Sequence, residues 1–569
     1  MISNSDPQKG SISSFELKDF ARVLAGIFLF GTVFTHAAPA QSMPRLVHQH
    51  GASQIVVDGK PFLVRGGELE NSSASSHAYL ETVWPKVVAM HFNTVLAPVY
   101  WQLIEPQEGS FDFSTVDGLI KSAREHNVKV VLLWFGSWKN SMSCYVPDWI
   151  KEDTQRFPRA QRADGSGLEI LSALSPKNLT ADSNAFVAMM KHLREIDAAD
   201  HTVIMVQVEN EVGMIPEARD HSDAANAAYL SAVPSELTDY LAKHRDSLQP
   251  GLRKAWEAHG SKAGANWPET FGFGQATDEL FTAWTEGHYT GEVAARGKAV
   301  YGLPMFANAA LIRPGRLPGQ YPSGGPLPHL FDVWRAAAPS IEMLSPDLYF
   351  PNFVEWASQY VRQDNPLFIP ETGRVDAAEM SANALYAYGQ LNSMGFSVYA
   401  PEYLKPEEEQ TLGDAYSVIN QLAPLILENQ GTGHMVGIRA PVSFIGSVDL
   451  TPQQFMLGNY TFTAHFKEPS PVSIGANIEP EIPGAHGGLM IQLDRDEFLV
   501  AGTGMIITFE RHGDKDTLAG IDSIWEGSYV NGVWIRGRNL NGDEDNQGRY
   551  LRLPAGNFTM RRVRLYHYR

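Results

Sequence analysis

Two acidic stretches stand where charge is costly. "VQVENEVG", Val206 to Gly213, closes an apolar run with Glu209, Asn210 and Glu211, and "PLFIPETG" closes another with Glu371. A carboxylate at the end of a buried strand is tolerated only if it is paired or used. Two-residue alternation puts Met205, Gln207, Glu209 and Glu211 on one face and Ile204, Val206, Val208 and Asn210 on the other. Glu211 then sits at the strand's carboxyl end, with Glu209 deeper and structural. Leu367, Ile369 and Glu371 share a face by the same count. Two facing carboxyls can cleave a glycosidic bond: one protonates the departing oxygen, the other stabilises or captures the oxocarbenium-like carbon. The rival reading of Glu371 is a carboxylate that only caps a helix.

Such a pair needs a frame that brings distant segments together. Eight apolar, strand-like runs alternate with helical patterns between about residues 50 and 425: "FLVRGGEL", "NTVLAPVY", "VKVVLLWF", "TVIMVQVE", "LPMFANA", "IEMLSPDLY", "PLFIPE" and "FSVYAPEY". This predicts an α/β fold, a (β/α)8 TIM barrel over residues 41–428, with a helical insertion near 216–296. After about residue 430 the alternation becomes that of antiparallel strands, predicting a C-terminal β-sandwich over 429–569.

Other side chains near predicted strand ends are candidates for substrate contact: Trp101, Trp134, Trp138 and Tyr349 for stacking on a sugar's apolar face, and Asn140 for a hydroxyl. Tyr349 has a second reading, donation to the nucleophile. Single aromatics are more often packing, and Asn140 is as readily a plain loop residue. Glu105, beside a proline, reads as a turn or ion-pair residue; Glu402 is a minor candidate.

Composition bounds the partners. The 569 residues carry 64 acidic against 45 basic side chains, a formal charge of -19, which argues against nucleic acid. No cofactor is expected: there is no phosphate loop, and "HQH" at His48 to His50 is the nearest thing to a metal cluster. No metal is expected either. "VLAGIFLFGTVFT", thirteen residues after Lys18 and Arg22, is too short to span a bilayer and is followed by "APAQ". Residues 1–40 are therefore expected to be a signal peptide cleaved after Ala40, leaving no membrane span in the mature chain. With Cys144 as the single cysteine, export without disulfides fits a bacterial periplasm or cell surface.

The motifs in this order resemble those of the clan of retaining (β/α)8 glycosidases, with "NE" at strand four and a glutamate at strand seven. Asn93 to Trp134 resembles the second and third βα units of β-galactosidases, and "VQVENEVG" is similar to the "QVENEYG" signature of glycoside hydrolase family 35. The resemblance implies Glu211 as acid/base, Glu371 as nucleophile, Asn210 on the hydroxyl next to the reacting carbon, and retention of configuration. The family's Gly-Pro-Tyr and Ala-Glu-Trp stretch is missing. "WFGSWKNSMSCYVPDW" stands there and resembles the related family 42 β-galactosidases. Glu68 in "RGGELENSS" is then expected to take over a hydroxyl contact. The implied substrate is a β-galactoside oligosaccharide, in a bacterial subgroup that trims xyloglucan fragments. Alternatives are a related exo-glucosidase or xylosidase, or a barrel that only binds oligosaccharide.

Overall fold

A computed structural model describes residues 42–468, 480–513 and 516–569; the expected signal peptide lies outside them. Ser42–Arg569 form one compact unit. Among the described residues no helix is long and apolar enough to cross a membrane.

The eight predicted strands form one parallel sheet: β1 (Val64–Glu68), β2 (Thr94–Tyr100), β3 (Lys129–Lys139), β4 (Val203–Asn210), β5 (Met305–Ala310), β6 (Met343–Leu348), β7 (Glu371–Thr372) and β8 (Gly395–Tyr399). The order β7-β6-β5-β4-β3-β2-β1-β8 is that of a barrel. It closes where Ile369 bridges Phe396, through Ile369 N–H to Gly395 O at 3.1 Å and Ser397 N–H to Ile369 O at 3.0 Å. Parallel strands are covered on both faces, which is why β2 and β4 are buried at every residue and read as continuous apolar runs.

Eight helices accompany the strands: α1 (Trp84–Ala89), α2 (Ser114–Glu125), α3 (Pro176–Asp197), α4 (Gln275–Val300), α5 (Phe331–Ala337), α6 (Phe353–Gln359), α7 (Ala377–Gln390) and α8 (Pro406–Asn429). Local chemistry sets their starts. Ser175 caps α3 by accepting from Asn178 N–H with Pro176 in the first turn, and Asp376 caps α7 through Glu379 N–H. The predicted insertion is shorter than expected. Four short α-helices and one 3-10 turn fill 223–271, but the stretch from Gln275 onward is α4, a barrel helix whose Gly297 lets α3's Phe186 approach closely.

The C-terminal region is a two-sheet antiparallel sandwich. One sheet has six strands in the order β9 (Met435–Arg439), β12 (Gly487–Asp494), β13 (Glu497–Thr503), β18 (Thr559–Tyr568), β15 (Leu518–Val530) and β16 (Val533–Asn539). The other has four: β10 (Gln453–Leu457), β11 (Tyr460–His465), β14 (Met505–Arg511) and β17 (Leu551–Leu553). Alternation divides the larger sheet between two cores. Met490, Phe498, Val500 and Val563 pack inside the sandwich, while Leu489, Ile491, Leu499, Ala501 and Met560 join the core of the barrel helices. Gly389 of α7 admits Leu489 and Gly437 at distances no larger residue would allow. Arg439 pairs with Glu379 of α7, and its Nε donates to Asn383 Oδ1 at 2.9 Å.

Candidate active site

At the carboxyl ends of β3, β4 and β7 the backbone leaves the regular path. Glu209 and Glu211 have φ of 62° and 44°, and Asn140, Ser141 and Arg374 have φ of 50°, 60° and 61°. Left-handed geometry in non-glycine residues is stored strain, and it gathers here around one cavity. The turn at Glu209 breaks the two-residue alternation: β3 advances from Trp134 to Lys139 while β4 advances from Val208 to Asn210. Asn210, expected on the opposite face, therefore points with Glu211 into the mouth. Glu209 turns instead toward α3, where it accepts from Trp138 N–H at 2.7 Å and lies against Asp182.

Glu211, Asp347 and Glu371 meet there. One carboxyl oxygen of each lies within 4.8 Å of the others, and all three side chains are buried. Donors converge on Glu371: Tyr349 Oη at 2.6 Å on Oε2, and on Oε1 Asn308 Nδ2 at 3.3 Å and Asn210 Nδ2 at 3.4 Å. Asn308 also donates to Asp347 Oδ2 at 2.8 Å and accepts from Glu211 N–H at 2.9 Å. Lys139 Nζ donates to Asn210 Oδ1 at 2.7 Å, which fixes that amide with its NH2 toward Glu371. Three such carboxyls also have the spacing of hard-cation ligands. In this arrangement amide and phenol donors engage both oxygens of Glu371 and Oδ2 of Asp347.

Burial, then the charge of Glu371, raises the pKa of Glu211 to about 7, with Lys139, a hydrogen bond from Asp347 and Arg374 pulling the other way. Asp347 is raised well above the carboxylate range by burial and by Glu371 and Glu211. Glu68 is raised in the same manner, by burial and then Glu371. Two neutral acids thus flank the pair, and Glu211 holds a proton it can give up near neutrality.

The cavity is about 420 Å³, with Asn71, Asn140, Arg313, Phe350, Arg374 and Tyr399 among its walls. Asn140 and Tyr349 line it, as Glu211 and Glu371 do. Other predicted contacts do not reach it. Trp101 is fully buried, donates to Glu105 Oε2 at 3.0 Å and meets Trp149 edge-on. Trp138, 1% exposed, donates to Leu171 O at 3.2 Å and packs on Tyr289; Trp134 donates to Asp182 at 2.9 Å. None has a free face for a sugar. Glu68 is fully buried beside Glu371 and cannot take the hydroxyl contact expected of it. Glu402 holds a loop by accepting from Glu70 N–H and Ser73 Oγ. Asp347, Asn308, Lys139 and Arg374 were not singled out by sequence. Asp347 shares its strand face with Tyr349 in "SPDLY", which is the signal that could have found it.

Residues 76–269 match the family model described as "Beta-galactosidase", a span that holds Glu211 and stops before Glu371. Residues 412–552 match "Domain of unknown function (DUF5597)". A β-galactosidase of Xanthomonas manihotis is 29% identical over 227 residues, 38% of this chain and 34% of that protein. "Beta-galactosidase 7" of Oryza sativa subsp. japonica is 23% identical over 275 residues, 46% of this chain and 33% of that one. The chain thus spans about a third of the length of these curated relatives. A solved β-galactosidase structure from Bacillus circulans sp. alkalophilus has a TM-score of 0.44 at 13% identity, covering 64% of this chain and 57% of that one. The part of the barrel that carries Glu211 is, by sequence, similar to β-galactosidases.

Proposed function

We propose that this chain is a retaining exo-β-galactosidase in which Glu371 is the nucleophile and Glu211 the acid/base. The observation that carries it is the meeting of those two carboxyls within 4.8 Å in one cavity. A spacing of about 5–5.5 Å suits direct attack and leaves no room for an inverting water. Glu371 attacks the anomeric carbon as the bond to the leaving oxygen breaks, and Glu211 gives that oxygen its proton. The resulting ester removes the charge on Glu371. Glu211 then becomes more acidic, takes a proton from water, and the water oxygen replaces Glu371 at carbon.

In this reading Asn210, whose amide Lys139 holds toward Glu371, takes the neighbouring hydroxyl, as the likeness to the retaining (β/α)8 glycosidases implies. The reading extends to galactosylated xyloglucan fragments as substrates and, from the apolar run at Val23 to Thr35, to export into a bacterial periplasm or onto its surface. Nitrophenyl glycosides test the sugar: β-galactoside should be turned over fastest. A faster β-glucoside or β-xyloside would reassign it, and no turnover of any would favour a binding-only barrel. Glu371→Gly should regain turnover with azide and yield the inverted glycosyl azide; rescue of Glu402→Gly instead would overturn the assignment.

A further inference from the structure

The cavity has a floor and a rim of different make. Glu211, Asp347 and Glu371 on the floor are at most 8% exposed. At the rim Arg313 is exposed and Phe350 half-buried. Phe350 is met edge-on by Phe444, with ring centroids 5.2 Å apart at 70°. Phe444 belongs to the sandwich, in the loop between β9 and β10. That loop is folded tightly by the Val442–Val448 bridge, Ser443 N–H to Ser447 O at 2.8 Å and Ser447 N–H to Ser443 Oγ at 3.0 Å. Its next residue, Ile445, is 85% exposed. The Arg313 guanidinium stands 5.8 Å from the Phe350 centroid and has no carboxylate partner among the described residues.

We propose that Phe350, Phe444 and Arg313 form a subsite for the sugar on the far side of the scissile bond, so that the C-terminal domain helps select the leaving group. This rests on the galactosidase reading above. A terminal sugar on the buried floor must send the rest of its chain out past the rim. There an aromatic surface can take the C–H face of a second pyranose, and a free guanidinium can donate to its hydroxyls. The loop is tied by its own hydrogen bonds, yet it carries Ile445 and Val448 into solvent beside the contact that Phe444 makes with the cavity wall at Phe350.

The test is a selectivity ratio: kcat/KM on a galactosylated xyloglucan oligosaccharide divided by kcat/KM on nitrophenyl β-galactoside, whose aglycone is a single ring. Phe444→Ala should lower the ratio about three- to tenfold, chiefly through KM. Phe444→Tyr should keep it. Phe444→Leu, which preserves apolar packing against Phe350, covers the case that the alanine variant does not fold, and should lower the ratio too. A ratio unchanged in folded Ala or Leu variants overturns the subsite. If the wild type cleaves no β-galactoside, it is the galactosidase reading that fails. Calorimetric binding of the same oligosaccharide then decides the subsite separately: weaker binding by Phe444→Leu supports it and equal binding sinks it.

Discussion

Two groups of buried acids sit on either side of one strand. Glu209 and Asp182 lie behind β4, and Glu211, Asp347 and Glu371 lie at its mouth. Both groups are removed from water, and in both burial and a neighbouring acid raise the pKa of the members that shift. Only access and donors separate them. Asp182 accepts from Trp134, Ser137 and Tyr289 and is sealed by them, so its group serves the fold. The mouth group opens into a cavity, and there burial and the charge of Glu371 leave Glu211 a proton to give. A perturbed carboxyl marks a candidate; a path for substrate makes it a site.

Four experiments can break or sharpen that contrast. Glu371→Gln should lower kcat by about four orders of magnitude or more, as removal of a nucleophile does, with the melting temperature little changed; a loss under tenfold in steady-state assays would return Glu371 to a capping role. Asp182→Ala should do the reverse, destabilising the chain in urea by about 2–4 kcal/mol because Trp134, Ser137 and Tyr289 lose their buried acceptor. Lys139→Met should reshape the pH profile. Glu211 must be protonated to act as acid, so kcat/KM should fall as pH rises through about 7. Lys139 favours the ionised form, so removing it should move that alkaline limb to higher pH; a limb that stays put or moves down would detach Lys139 from the acid. The smallest effect is expected for Glu209→Gln, since its carboxyl is already held toward the neutral form: stability within about 1 kcal/mol of the wild type and activity within a few-fold.

The barrel was legible because a parallel strand covered on both faces writes itself as an apolar run, and eight such runs alternate with helices. The meeting of Glu211 and Glu371 was legible because each puts a charge at the carboxyl end of such a run, Glu211 two residues beyond the deeper Glu209. Asn210 was assigned to the wrong face because strict alternation holds only as far as Val208. The left-handed turn at Glu209 depends on the extra residues of β3 opposite it, which pattern alone does not reveal. Trp101 and Trp138 were misplaced for a related reason: a tryptophan near a strand end looks the same whether its faces are open or filled. Glu68 failed similarly, since a carboxyl that burial and the charge of Glu371 hold toward its neutral form can be buried completely. Lys139 was hidden within a stretch read for its tryptophans.

The six-stranded sheet has a consequence for how this molecule can be taken apart. Its strands give alternate side chains to the sandwich and to α7 and α8, so cutting the polypeptide after Asn429 would strip apolar cover from both pieces at once. The junction behaves as a weld rather than a linker: calorimetry should record a single cooperative melt, and a barrel transplanted without its sheet should be recovered in aggregates. Exchange of such modules between lineages would have to carry the last two barrel helices along.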